Sequence, residues 1–174
     1  GELFIGDLGF LTPAAGRALG SLVAAHAPTA PTARIFAPPW HPLLAMLARE
    51  WMDARCIEAW MLRLVRVPEA LATRGWPRRL NASLRFEVSD DALPGNAGEW
   101  VLDVADGTAH VRRPTRADDQ PTIRLDVATL ASIYSGWLRR GEAALTGGIV
   151  ANDEALAAAD ALFAGTRPWL ADRF

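Results

Sequence analysis

The residue types that perform nucleophilic, acid–base or metal chemistry are few in this sequence and widely spaced. Cys56 is the only cysteine, and its apolar, strand-like surroundings favour a buried structural thiol over a nucleophile. The three histidines, His26, His41 and His110, lie far apart, and none has a metal-ligand partner at short spacing. Every basic residue is arginine, so no lysine is available for a Schiff base or a phosphate-binding P-loop. We therefore expect no complete active site in this chain.

Acidic pairs and glycines give no stronger signal. Asp90-Asp91 and Asp118-Asp119 resemble neither a calcium loop nor the carboxylate pair of a glycosidase, so we interpret both as solvated turns. Gly147-Gly148 is not followed by the Lys and Ser or Thr of a phosphate loop, and it predicts a turn.

Tryptophan is abundant, with seven residues in a chain of 174. Aromatic side chains of this size either pack a core or line a ligand cavity or interface. Our candidates for substrate binding among the seven are Trp76, Trp100 and Trp137. Core packing remains the alternative for all three.

Composition narrows the class of protein. A net charge of −2 argues against nucleic acid as a partner, because phosphate binding requires a basic surplus. The apolar runs are too short to span a membrane, and the start lacks the basic region of a signal peptide. With a single cysteine there is no disulfide framework, so we expect a cytoplasmic location.

The use of arginine without lysine is typical of a GC-rich bacterial genome. The chain begins at Gly1-Glu2 directly before a predicted strand, and we expect this to be a boundary within a longer protein.

The elements change character along the chain. The first part predicts a strand at 3–10, a helix from Thr12-Pro13, a strand at 33–37 and a short helix at His41-Pro42, which is a partial α/β layer. Residues 55–67 form the longest strand-like segment. Alternating residues 80–88 then predict a half-buried strand, followed by a hairpin at Asp106-Gly107 and a strand at 122–125. A helix is predicted to begin near Asp126, and another at 152–164 has Asn152 or Asp153 as its cap.

Several segments resemble one family in order and spacing. WMLRLVRVPEAL at 60–71 is similar to the junction of the enhanced intracellular survival (Eis) type GNAT-family N-acetyltransferases, where a W-x-R-x-V-D-V-x-x-A-L run precedes a C-terminal sterol-carrier-protein-like domain; Arg66 replaces the common Asp. Further similar segments are LRFEVSD at 84–90, PGNAGEW at 94–100, LDVATLASIYSG at 125–136, AADALF at 158–163 and the ending PWLADRF at 168–174. The resemblance covers nearly the whole chain.

The resemblance implies an α+β fold with two parts. Residues 59–174 would form a sterol-carrier-protein-like domain, an antiparallel or mixed sheet with helices. Residues 1–58 would be the C-terminal half of a non-catalytic GNAT-like domain. The catalytic N-terminal GNAT domain, which binds acetyl-CoA, would lie outside this chain, and the chain contains no Q/R-x-x-G-x-G/A segment of that kind.

The resemblance also implies a role for the last residue. In this family the terminal carboxylate reaches the active site of the N-terminal domain and acts as the base on the substrate amine, and Phe174 matches that position. The implied substrate is a small cationic amine, and the implied assembly is a homo-oligomer.

Two alternatives stay open at this point. The chain could be an apolar-ligand-binding module of the sterol-carrier type without catalysis, or it could be a purely structural domain. A long open apolar cavity would favour the carrier, and a filled core would favour the scaffold.

Overall fold

A computed structural model describes residues 1–47, 52–55 and 60–170. The chain divides into two compact units, of which the first comprises residues 1–59 and 169–174 and the second residues 60–168.

The first unit is a single strand–helix–strand crossover. Strands β1 (Glu2–Ile5) and β2 (Thr32–Ile35) pair in parallel, and helix α1 (Pro13–Ala25) connects them. As predicted, Thr12 caps α1, because its Oγ1 accepts the backbone N–H of Ala15 at 3.1 Å and Pro13 occupies the first turn. A 3₁₀ helix (Pro42–Ala45) follows at the predicted position. β1 is shorter than the predicted strand at 3–10.

The first unit has almost no interior. Among its described residues, only Gly16 and Leu43 are buried, and Phe4, Leu11 and Leu22 are exposed. Parallel strands normally carry a cover on both faces of the sheet, and two strands are too few for independent stability. That residues 1–58 belong to a larger GNAT-like layer stays a prediction.

The second unit is built on a five-stranded mixed sheet with the order β5-β4-β3-β6-β7. β3 pairs antiparallel with β4 and parallel with β6, and the remaining neighbours are antiparallel. The strands are β3 (Ala82–Ser89), β4 (Gly98–Ala105), β5 (Thr108–Arg112), β6 (Thr122–Asp126) and β7 (Ile149–Ala151). The predicted hairpin is confirmed: Asp106 and Gly107 both have positive φ, at 51° and 80°.

Helices cover one face of this sheet. They are α2 (Val67–Thr73), α3 (Val127–Ser135), α4 (Arg140–Leu145) and α5 (Asp153–Leu162). The helices predicted to begin near Asp126 and at Asn152 are observed, and Asp126 caps α3 by accepting the backbone N–H of Thr129. Of the two candidate caps for α5, Asn152 and not Asp153 is the cap, and it accepts the backbone N–H of Ala155. α4 and β7 were not predicted, because six and three residues are too few for a periodic signal.

The core of the second unit lies between these helices and alternate strand residues. The strands contribute Leu84, Phe86, Val88, Trp100, Leu102, Val104, Ile123 and Leu125. The predicted α+β fold is thus confirmed, and the half-buried alternation predicted at 80–88 is observed in β3, which lies at the centre of the sheet.

The strand predicted for residues 55–67 is wrong over its described part. Residues 60–64 have no strand pairing, and α2 begins at Val67; residues 56–59, with Cys56, lie outside the described residues. The physical reason is an amide side chain: Asn96 donates to the carbonyl of Leu64 at 3.1 Å and accepts the N–H of Val67 at 2.9 Å. These are backbone groups that a partner strand would use.

No helix among the described residues is long and apolar enough to cross a membrane.

Candidate functional site

The predicted catalytic group, the carboxylate of Phe174, lies outside the described residues. The chain that leads to it is described as far as residue 170. Within the second unit, Arg167 donates to Glu142 Oε1 at 2.6 Å, and the other oxygen of Glu142 accepts the N–H of Arg139 at 2.9 Å. The backbone hydrogen bond from Arg139 and then the nearby charge of Arg167 hold the pKa of Glu142 below its usual value. The segment is therefore anchored to α4 seven residues before its end.

A glycine provides a second anchor for the same segment. Gly136 ends α3 with a φ of 80°, and a Cβ placed there would lie 3.1 Å from the carbonyl oxygen of Thr166. The backbone at 166 therefore passes directly over the end of α3, a path that glycine at 136 accommodates without strain.

Two of the three predicted substrate-binding tryptophans are buried. Trp76 and Trp100 are 6% and 9% exposed. Their indole N–H groups donate to backbone carbonyls, Trp76 to Leu71 at 3.0 Å and Trp100 to Asn96 at 2.9 Å. Each ring thus packs in the core, while its indole N–H donates to a backbone carbonyl near a helix end or in a loop.

The third tryptophan, Trp137, is on the surface and 57% exposed. It directly follows Gly136, and its backbone N–H donates to the Ser135 hydroxyl at 3.3 Å. Neither of the two clefts described below includes any of the three tryptophans in its lining, and their role in substrate binding stays a prediction.

The space between the sheet and the helices is filled by aromatic rings. Phe163 packs edge-on against Trp76 at 5.5 Å and against Phe86 at 6.2 Å between ring centroids. Phe86, Leu84 and Leu102 are at most 1% exposed. This is the region in which an apolar-ligand cavity would have to form, and close-packed rings occupy it.

A first open cleft, of about 500 Å³, contains residues that resemble parts of a catalytic triad. Ser83, Asp103 and His110 lie side by side on β3, β4 and β5. Ser83 Oγ donates to Asp103 Oδ1 at 2.5 Å. The carboxylate, rather than the imidazole, is in the middle, and Ser83 and His110 are two strand spacings apart, roughly 10 Å. His110 cannot take the serine proton over that distance, so the row is not a nucleophilic triad.

Arg112 holds the neighbouring carboxylates in place. It donates to both oxygens of Asp118 at 2.7 and 2.8 Å and to Asp103 at 3.2 Å. Hydrogen bonding from Arg112, followed by that from Thr115, keeps the pKa of Asp118 well below its usual value. The prediction of a solvated turn at Asp118-Asp119 is therefore wrong for Asp118, which forms an ion pair with Arg112. Asp119 is exposed.

A second open cleft, of about 360 Å³, lies on the face of the sheet that the helices leave uncovered. Arg85 pairs with Glu99 at 2.5 Å, and Arg124 pairs with Glu87. The charges cancel in pairs, so the cleft has no net attraction for one sign of ligand. Among the described residues, no three His, Cys, Asp or Glu side chains converge to hold a metal ion.

A buried polar junction was missed by sequence analysis. Asn96 is 2% exposed and also donates to Asp90 Oδ2 at 2.9 Å. Asp90 Oδ1 accepts from Arg63 at 2.6 Å and from the N–H groups of Ala92 and Leu93. The junction therefore joins the loop after β3 to the segment before α2.

The acidic member of this junction corrects one prediction. Asp90-Asp91 was interpreted as a solvated turn, which is wrong for Asp90 because its side chain is 1% exposed. The sequence signal for the junction was an Asn within a Pro-Gly-Asn-Ala-Gly turn, which does not distinguish a buried amide from an exposed one.

The predicted turn at Gly147-Gly148 does not form a phosphate-binding loop. The Gly147-Gly148 turn is closed by this chain itself, since a Cβ at Gly148 would lie 3.0 Å from the hydroxyl oxygen of Thr129. No lysine is present to complete a phosphate loop.

Comparison with known families decides what the second unit is. Residues 67–171 match the family described as sterol carrier protein domain. The chain belongs to the sterol carrier protein domain family. The match begins at α2 and includes all five strands of the mixed sheet, so the sterol carrier protein domain is the unit that holds Trp76, Trp100 and Trp137.

Among solved structures, the chain is similar to proteins that match both of its units. A GCN5-related N-acetyltransferase from Anabaena variabilis ATCC 29413 is 31% identical over 98% of this chain and 43% of its own, with a TM-score of 0.79. Another from Kribbella flavida is 27% identical over 100% of this chain and 44% of its own, with a TM-score of 0.78. Eis1 from Mycobacterium abscessus is 36% identical over 64% of this chain and 27% of its own, with a TM-score of 0.51.

The chain thus spans less than half the length of these structures. Comparison with curated protein sequences gives no significant match.

Proposed function

We propose that this chain is the C-terminal part of an acetyl-CoA-dependent N-acetyltransferase of the Eis type that acts on a small cationic amine. One observation carries the proposal: the fold of the whole chain, both units included, matches two GCN5-related N-acetyltransferases at TM-scores of 0.79 and 0.78 while covering 43% and 44% of them. In this proposal the chain supplies walls of the substrate pocket, contacts between subunits and the terminal carboxylate of Phe174.

The incomplete first unit supports this proposal. A two-stranded parallel sheet with two buried residues among those described needs further strands or a partner to cover it. A preceding part of a longer protein would provide that cover. In the proposal, residues 1–58 complete a non-catalytic GNAT-like domain, and acetyl-CoA binds to a separate domain that precedes it.

The chemistry assigned to Phe174 is electrostatic and basic. An α-carboxylate is negatively charged at neutral pH and attracts an ammonium group. Within a desolvated site it accepts a proton from that ammonium, which leaves the neutral amine with a lone pair for acyl transfer. The anchor at Arg167 supports this role, because it fixes the start of the final seven residues.

The test compares three changes at the end of the full-length protein. Deleting Phe174 and adding one glycine after it both move the terminal carboxylate, whereas Phe174→Leu keeps it at the same position. Positioned general bases contribute about 10²- to 10⁴-fold. We expect the deletion and the extension to lower kcat for acetylation of polyamine-like or lysine-like amines by about that factor, and Phe174→Leu to retain most of it. Undiminished kcat in the deletion and the extension would refute the role of the carboxylate.

The chain alone provides the second test. With acetyl-CoA and an amine we expect no turnover, because in this proposal acetyl-CoA binds to a separate domain that precedes this chain. Turnover by the chain alone would contradict the proposal that acetyl-CoA binds to a separate preceding domain. The oligomer contacts are tested by light scattering, where a monomeric full-length protein would remove that part of the proposal.

Membership of the sterol carrier protein domain family favours a second candidate, an apolar-ligand carrier. The ring packing of Phe163 against Trp76 and Phe86 argues against it, because a carrier needs space there. Titration with an uncharged fluorescent sterol analogue distinguishes the two candidates, and we expect no saturable binding by the unmodified chain. Saturable binding that is lost in Leu84→Phe, which adds volume to the same buried region, would instead establish the carrier.

A further inference from the structure

One arginine of the second unit is surrounded by aromatic rings and has no acidic partner among the described residues. The Arg74 guanidinium carbon lies 4.8 Å from the centroid of Trp76, 5.2 Å from Phe163 and 5.6 Å from Tyr134. None of the ion pairs within the described part of the chain includes Arg74. The cation therefore lies against three ring faces without a counter-ion from those residues.

Two of the three rings are held in place by hydrogen bonds from their own polar groups. Trp76 donates its indole N–H to the carbonyl of Leu71 at 3.0 Å, and the Tyr134 hydroxyl donates to the carbonyl of Ala70 at 3.2 Å. Both carbonyls belong to the last turns of α2, and Arg74 is the residue that ends this helix. The guanidinium is therefore placed by a short helix on one side and by fixed rings on the others.

The donors of Arg74 remain accessible to solvent. Among the described residues, no hydrogen bond involves a guanidinium nitrogen of Arg74. None of these nitrogens is one of the fully buried polar atoms that lack a hydrogen-bond partner. The rings thus contact the guanidinium while its N–H groups still reach water. Partial burial lowers the pKa of Arg74, which reflects the cost of desolvating a cation that no described acid neutralises.

We infer that Arg74 and its three aromatic neighbours form a receptor for an oxyanion, a carboxylate or a phosphate group bound through the planar fork of the guanidinium. Stacked arginines bind such groups bidentately, and pre-orientation reduces the entropy lost on binding. The planar guanidinium of an arginine matches the geometry of these groups better than the ammonium point charge of a lysine does. This inference does not depend on the acetyltransferase proposal.

The experiment titrates the chain with inorganic phosphate and, separately, with acetate, each replacing chloride at constant ionic strength. The readouts are the melting temperature and the ¹⁵N side-chain resonance of Arg74. Ligand linkage makes the stability rise with ln(1 + [anion]/Kd). Arg74→Gln removes the fork, Arg74→Lys keeps the charge alone, and Arg79→Gln removes the same charge from an exposed arginine nearby.

We expect saturable shifts of the Arg74 resonance and a rise in melting temperature in the unmodified chain and in Arg79→Gln. In Arg74→Gln and Arg74→Lys we expect apparent affinity to fall by about tenfold or more. Saturation by either anion supports the receptor, and the tighter of the two is its preferred ligand class. An Arg74 resonance that does not respond to either anion overturns the inference, as does an equal rise in melting temperature in Arg74→Gln. The resonance of the unmodified chain keeps the test valid if a variant fails to fold.

Discussion

Asn96 holds Val67 through a buried hydrogen bond, in which the side-chain Oδ1 accepts the backbone N–H of Val67 at 2.9 Å. The same amide donates to the carbonyl of Leu64 and to Asp90. One side chain thus connects the loop between β3 and β4 to the segment that enters α2. This connection replaces the strand pairing predicted for that segment.

Asn96→Ala should destabilise the second unit by about 2–4 kcal/mol, because it leaves buried backbone groups at Leu64 and Val67 without a partner. Urea unfolding followed by tryptophan fluorescence measures the change. The control Asn81→Ala removes an exposed amide and should change stability by less than about 0.5 kcal/mol. Equal stabilities for the two variants would contradict the assignment.

Asp90 should make stability fall in acid. Its hydrogen bond from Asn96, with further ones from Leu93, Arg63 and Ala92, lowers its pKa to about 2 from an ordinary value of 3.8. Because the folded pKa is the lower one, this stabilisation is present above the unfolded pKa and is lost as pH falls from about 4 towards 2. Unfolding midpoints measured across that range should fall less steeply in Asp90→Asn.

Asp119→Asn is the control for that measurement, since Asp119 is an exposed carboxylate in another loop. Its acid profile should follow that of the unmodified chain. If Asp90→Asn also follows that profile, Asp90 does not have the depressed pKa.

Trp76→Phe and Trp137→Phe should differ in stability. The first keeps a buried ring but removes the donor to Leu71, which should cost about 1–3 kcal/mol. The second changes a residue that is 57% exposed, so we expect less than about 0.5 kcal/mol. Thermal unfolding of the two variants side by side provides the check, and a larger loss in Trp137→Phe would show that its surface is covered in solution.

Gly136→Ala should loosen the segment around Thr166. Alanine at a φ of 80° is strained, and its Cβ would lie 3.1 Å from the Thr166 carbonyl oxygen, so we expect a loss of about 1–3 kcal/mol. Amide hydrogen exchange at 165–167 should become faster. Gly141→Ala in α4 meets nothing within 4 Å and should be neutral or stabilising by up to about 1 kcal/mol. Similar losses in both variants would mean that the contact with Thr166 is unimportant.

Local signals predicted the elements that have local causes. The structure confirms the Thr12-Pro13 start of α1, the helix starts near Asp126 and Asn152, and the Asp106-Gly107 hairpin. Each of these features depends on residues within one turn. α4 and β7 were missed because they are short. The strand predicted at 55–67 was wrong over 60–66 because an amide 29 residues from Val67 outcompetes a partner strand.

Residue types and near neighbours were enough to establish the alternation that builds the mixed sheet, the caps of its helices and the lack of any lysine-based chemistry. The folded structure was needed to show that Trp76 and Trp100 fill the core, that Asp90 is buried, and that Arg74 lies among three rings with no described acid as its partner. Burial and pairing depend on which distant segments meet, and the local sequence around a Trp, Asp or Arg does not specify that meeting.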